Sequence, residues 1–118
     1  MRVILVDDEK KFINMLARRL GFRGIAADAV YSGEEAIKNV EKKHYDVAVL
    51  DIKMPGISGH ELKAELNKID PGLAVIFVSG HGGATGSGPD AGGETDVYLS
   101  KPLDLDLLIE TIGKLAGR

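Results

Sequence analysis

The chain has no cysteine among its 118 residues, which excludes a disulfide framework and a thiolate metal site. Long apolar runs are also missing. The amino terminus, MRVILVDDEK, offers only four consecutive apolar residues before its acids, too few for a signal peptide or a membrane span. Basic residues form no stripe, and a net charge of -3 gives no electrostatic case for nucleic-acid binding by this chain. His44 and His60 lack metal-ligand spacing. A loose glycine pattern at Gly86–Ala91 neither follows a strand directly nor opens a helix, and no GK[ST] accompanies it, so dinucleotide binding carries little weight beside a flexible linker. What remains is ordinary for one soluble domain over residues 1–118, with 44% hydrophobic and 28% charged residues. With no targeting address, a cytoplasmic location is the expectation.

The strongest pattern lies at 45–59, YDVAVLDIKMPGISG. Val47 to Leu50 is an unbroken apolar run, as expected of a strand buried on both faces of a parallel sheet. It ends at Asp51, and Pro55-Gly56 then turns the chain. Val3 to Val6 is a similar run ending in Asp7, Asp8 and Glu9. Ile25 to Val30 is a weaker, alanine-rich strand carrying Asp28, expected near an edge. Leu73 to Val78 ends at Ser79, and Val97 to Leu99 ends at Ser100, Lys101 and Pro102.

Helices fill the intervals. Phe12, Leu16 and Leu20 share one face of a helix over Lys10 to Leu20, closed by Gly21 or Gly24. Ser32 with Glu35, and Ser58 with Glu61, have the spacing of capping boxes. Leu62, Leu66 and Ile69 are expected to face inward, and Leu105, Leu108, Ile109, Ile112 and Leu115 mark a final helix. Gly80 to Asp96 breaks the rhythm with seven glycines and Pro89. Each glycine costs roughly 1 kcal/mol against alanine in a helix interior, and proline about 3. No apolar face offsets that cost, so a flexible loop is expected there.

Alternating strands and helices imply a parallel sheet covered on both faces, with right-handed crossovers. The carboxyl ends of all five strands then line one edge, and Asp7, Asp8, Asp51, Ser79 and Lys101 converge on it. Carboxylates so gathered would drive at least one pKa upward unless a cation neutralised them. An all-oxygen donor set fits Mg²⁺. With a lysine and a hydroxyl beside it, the pocket suits phosphoryl transfer, Asp51 being the nucleophile.

Taken one at a time these residues have plain explanations. Asp7, Asp8 and Glu9 suit the positive end of the following helix. Asp51 suits a turn, Lys101-Pro102 a strand exit, and Tyr98 core packing. His81 suits a solvated loop. The plain account fails only because it must explain each acid, hydroxyl and ammonium separately at the right strand end.

VDDE at 6–9, VLDIKMPGISG at 49–59, VSG at 78–80 and YLSKP at 98–102 resemble the CheY-like receiver domain of two-component response regulators, and the resemblance covers essentially the whole chain. It implies a flavodoxin-like, doubly wound, five-stranded parallel sheet in order 2-1-3-4-5. It implies that Asp51 accepts a phosphoryl group from a sensor histidine kinase or phosphotransfer protein. Asp8 would bind Mg²⁺ directly, Asp7 largely through water, and Lys53 through its backbone carbonyl. Lys101 would contact the phosphoryl group, Ser79 would move toward it, Tyr98 would rotate inward as a coupled switch, and a cis bond would precede Pro102. The side chains of Lys53 and His81 would tune the lifetime of the phosphorylated state.

Such a domain is not an enzyme in the usual sense, since it catalyses only its own phosphotransfer and dephosphorylation. It acts by switching an output partner, without membrane contact, and homodimers occur. The departure from the family pattern is the glycine-rich stretch, where receivers place a fourth helix. Two alternatives stand beside this reading. One is a degenerate receiver acting by binding alone. The other is an aspartyl-nucleophile phosphatase, which commonly has an acid two residues past the nucleophile, where this chain has Lys53.

Overall fold

In the computed structural model, residues 1–80 and 97–117 are described, and everything below concerns them. Strands β1 (Arg2–Val6), β2 (Ala26–Val30), β3 (Val47–Asp51), β4 (Ala74–Ser79) and β5 (Val97–Ser100) alternate with helices α1 (Lys10–Phe22), α2 (Gly33–Lys42) and α3 (Gly59–Ile69). The last helix, α4 (Leu105–Ala116), follows β5. The strands form one sheet in order β2-β1-β3-β4-β5, every pair parallel. This is the flavodoxin-like order anticipated from the sequence. The expected loop in place of a fourth helix, and His81 with it, fall in residues 81–96, outside the described residues.

Strand alternation divides the core into two halves. Ile4, Val6, Ala48, Leu50, Val75 and Phe77 face α2 and α3, meeting Ala36, Val40, Leu62 and Leu66. Val3, Leu5, Val47, Val49, Ile76 and Val78 face α1 and α4, meeting Ile13, Leu16, Leu20, Leu108 and Ile112. The central strands are buried on both sides, which is why their sequences are continuous apolar runs with no polar alternation. β2, with exposed or half-buried alanines, is an edge strand as its composition foretold.

Local chemistry sets the helix ends. Ser58 forms the full reciprocal capping box with Glu61. Ser32 forms half of one. Its hydroxyl accepts from the Glu35 N–H at 3.2 Å, but the Glu35 carboxylate accepts from Tyr31 N–H at 2.7 Å, one residue too early to close the box. Asp104 caps α4 by accepting from Leu107 N–H at 3.2 Å. Gly24, at φ 84°, follows α1 and ends it, whereas Gly21 lies inside the helix. Ile69 does not face inward as expected; it sits on the last turn of α3 and is exposed.

Candidate functional site: an acidic pocket at the switch point of the sheet

The order of the sheet reverses between β1 and β3, so the chain leaves these strands in opposite directions and a crevice opens beyond their carboxyl ends. Asp7 and Asp8 follow β1, and Asp51 ends β3. One carboxylate oxygen from each lies within 4.8 Å of the others, a group able to hold a metal ion. Asp7 and Asp51 are buried, and Asp8 is exposed at the mouth.

Backbone bonds fix these positions. Asp7 N–H donates to the Val30 carbonyl at 3.2 Å, and Ile52 N–H donates to Val78 at 3.0 Å. After Asp51 the chain turns through Pro55-Gly56, with Gly56 at φ 89°. A proline followed by a glycine of positive φ is the residue pair that a type II turn requires. Gly59 then brings the head of α3 against the end of β3. Its N–H donates to the Ile52 carbonyl at 3.0 Å, and an added Cβ would lie 2.8 Å from the Asp51 carbonyl oxygen.

Lys101 supplies the opposing charge. Its backbone N–H donates to the Ser79 carbonyl at 2.8 Å, and the Lys101–Pro102 peptide is cis. The ammonium donates to Asp7 Oδ2 at 2.9 Å and to Glu9 Oε1 at 3.0 Å, and lies 4.8 Å from the centre of the Phe12 ring. Burial works against the charged ammonium, but the bonds to Asp7 and Glu9 and the Asp51 charge outweigh it, and the pKa is raised. Asp51 shows the opposite strain. Burial first, then the charge of Asp7, push its pKa up to about 6; Lys101 and the Lys53 N–H, 3.4 Å away, only partly offset this, and Asp8 adds to the rise.

Asp7, Asp8, Asp51 and Lys101 thus come together as side chains. Ser79 reaches the same edge through register, one residue past Val78, the β4 partner of Asp51. Lys53 is exposed beside the pocket. Tyr98 lies away from it, half-buried on the α2–α3 side against Phe77. Sequence reasoning missed three participants. Glu9 does not cap α1 through its side chain but binds Lys101 instead. Phe12, read only as part of the apolar face of α1, is half-buried beneath the Lys101 ammonium. His60 meets the Tyr98 hydroxyl at 2.8 Å. Only the acid at position 9, contiguous with Asp7 and Asp8, carried a signal that could have been read.

The family profile described as the response regulator receiver domain matches residues 3–113. Over its full length the chain is 35% identical to the transcriptional regulatory protein TcrA of Mycobacterium tuberculosis, covering 47% of that protein. It is 30% identical to the two-component response regulator PhoP of Pseudomonas aeruginosa, covering 52% of it. The chain therefore spans about half the length of these relatives. Among solved structures, a response regulator receiver domain protein from Clostridium thermocellum superposes with a TM-score of 0.85 at 27% identity, over 99% of this chain and 94% of that one. The receiver domain of the Francisella response regulator 1452 superposes at 0.82 with 29% identity, over 99% and 97%. The profile match, the relatives and the shared fold agree: the chain belongs to the response regulator receiver family.

Proposed function

We propose that this receiver accepts a phosphoryl group on Asp51, in a Mg²⁺-dependent reaction, from the phosphohistidine of a histidine kinase or phosphotransfer protein. The observation that carries the reading is the gathering of Asp7, Asp8 and Asp51 within 4.8 Å beside a single ammonium. The donor set is entirely oxygen and its charges outnumber the nearby cation, which fits a hard divalent ion. Asp8 and Asp51 would hold it directly, with Asp7 acting through water and Lys53 through its carbonyl. When bound, the ion supplies charge neutralisation at the acids and at the incoming phosphoryl oxygens.

A carboxylate oxygen of Asp51 attacks phosphorus in line, the bond from phosphorus to the donor's imidazole nitrogen breaks, and an acyl phosphate results. Lys101, held at the pocket by Asp7 and Glu9, stabilises negative charge on the equatorial oxygens. The Ser79 hydroxyl donates to one of them once it moves inward. Attack by water on phosphorus later releases phosphate and regenerates the carboxylate. The chain turns over no separate substrate and acts by changing which partner it binds. Among the described residues no helix is long and apolar enough to cross a membrane. A cytoplasmic setting and an output partner belong to the same reading.

Incubation with acetyl phosphate and Mg²⁺ followed by intact-mass measurement tests it. A gain of one phosphoryl group, absent without Mg²⁺ and absent in Asp51→Asn, is expected. Catalytic turnover of phosphoesters without an adduct would instead favour the phosphatase. An unchanged mass even with a phosphorylated donor protein would leave only a degenerate receiver.

A further inference from the structure

Away from the acidic pocket, three rings meet on the α2–α3 side of the sheet. The centroids of His60 and Phe77 are 4.3 Å apart, those of Phe77 and Tyr98 5.2 Å in a stacked arrangement, and those of His60 and Tyr98 5.9 Å. Phe77 is fully buried and pairs with Tyr98 in the register of β4 and β5, so those two rings are neighbours by sheet geometry alone. His60 arrives independently, from the first turn of α3. Its Nε2 and the Tyr98 hydroxyl oxygen are 2.8 Å apart, joining residues 38 positions distant in the chain.

The head of α3 is in turn pressed against the strand that bears Asp51. Gly59 bonds to the Ile52 carbonyl, and its α-carbon has no room for a methyl group beside the Asp51 carbonyl. The capping box of Ser58 and Glu61 stiffens the same turn. This close contact at Gly59 places His60, one residue on, directly beside the backbone that carries and follows Asp51. From His60 a single hydrogen bond leads to Tyr98.

We propose that His60 is a positioning residue for Tyr98, coupling the backbone at the acceptor strand to the β5 ring through the Nε2–hydroxyl bond. The side chain is exposed and touches none of the reacting groups; it meets Phe77 by ring contact and Tyr98 by a hydrogen bond, and only the bond is directional. The consequence for signalling rests on Asp51 being the acceptor; the bond itself does not. Ring packing alone would predict that any residue of similar bulk serves at position 60. A hydrogen-bond tether predicts that Gln serves and Leu does not.

Beryllium fluoride with Mg²⁺, a phosphoryl mimic that sits on a carboxylate oxygen, separates these outcomes. The bound fluorine resonance reports the Asp51 adduct, and the imidazole Cε1–Hε1 resonance of His60 reports the tether. In the native chain the His60 resonance should shift on adduct formation, and Tyr98→Phe should abolish most of that shift. Affinity for the mimic should change about 3-fold or more in His60→Leu and in Tyr98→Phe, without compounding in the double variant. His60→Gln should restore it.

A bound fluorine signal with an unmoved His60 resonance, or effects that multiply in the double variant, would overturn the proposal while leaving the acceptor role intact. Absence of a bound fluorine signal would count against the acceptor role instead. The same variants then decide the tether by urea unfolding. Losses of about 3-fold in the equilibrium constant that fail to compound uphold it, and losses that multiply reject it.

Discussion

Two groups of acids in this small domain are treated in opposite ways. Under the α2–α3 layer, Asp28 accepts from the Tyr45 hydroxyl at 2.6 Å and from Lys43 at 3.3 Å. Asn39 in turn donates to Tyr45 at 3.3 Å. The Tyr45 bond leads in holding the Asp28 pKa below its ordinary value. Burial, followed by the bond to Asp28, pushes Tyr45 up to about 12. At the carboxyl edge, Asp7, Asp8 and Asp51 crowd one another, and Asp51 is pushed up to about 6. The first group has a donor for its acid and strengthens the fold. The second keeps an excess of negative charge at a cost to the fold, a pattern common at functional sites.

The sharpest break of this contrast is Lys101→Met. Removing the cation leaves Asp7, nearly buried, with its charge uncompensated, and a loss of about 3 kcal/mol is expected in metal-free urea unfolding. A loss below about 0.5 kcal/mol, the scale of an exposed pair, would mean that Lys101 does not hold the pocket together.

Asp51→Asn should move stability the other way. A carboxyl whose folded pKa of about 6 exceeds its unfolded value of 3.8 contributes stability below pH 3.8 and loses it as pH rises through 6. Above that pH the native carboxylate is a burden of about 1–3 kcal/mol, so the Asn variant should melt higher at pH 7.5 in chelator and show a flatter profile between pH 4 and 7. Mg²⁺ should stabilise the native chain and leave the variant nearly unmoved. Equal melting points in chelator would show that the pocket carries no such strain.

The smallest effect is expected in the satisfied group. Tyr45→Phe removes the donor that leads in lowering the Asp28 pKa, at a cost of about 1 kcal/mol at neutral pH. Because Asp28 is depressed, its stabilisation is present above pH 3.8 and lost as pH falls through the lowered value. Acid unfolding of the native chain should therefore be steeper below pH 4 than that of Tyr45→Phe. Parallel acid limbs would erase the distinction between the two groups.

The sequence made the fold and most of the pocket legible for one physical reason. A strand buried on both faces must be apolar throughout, so its end is abrupt, and the first polar residue after each run falls at the edge where ligands bind. Asp7, Asp51 and Ser79 could be placed that way. Individual hydrogen-bond partners elsewhere could not. Glu35 and Ser32 have the spacing of a closed box, yet the carboxylate goes to Tyr31, because spacing fixes reach and not which of two adjacent N–H groups is met. The Tyr45–Asp28 bond and the His60–Tyr98 contact depend on the register of distant strands and the seating of α3. No local period encodes either.

β2 is short, rich in alanine and forms a border of the sheet, a strand type on which another chain can dock and extend the ladder. Asp28 stands at its centre, with the Lys43 ammonium drawn over it. The Asp28–Lys43 pair therefore also sets charge on an outer edge of the sheet. Were both made neutral, light scattering of concentrated samples would register the growth of soluble aggregates. Unchanged scattering would show that this margin needs no guard.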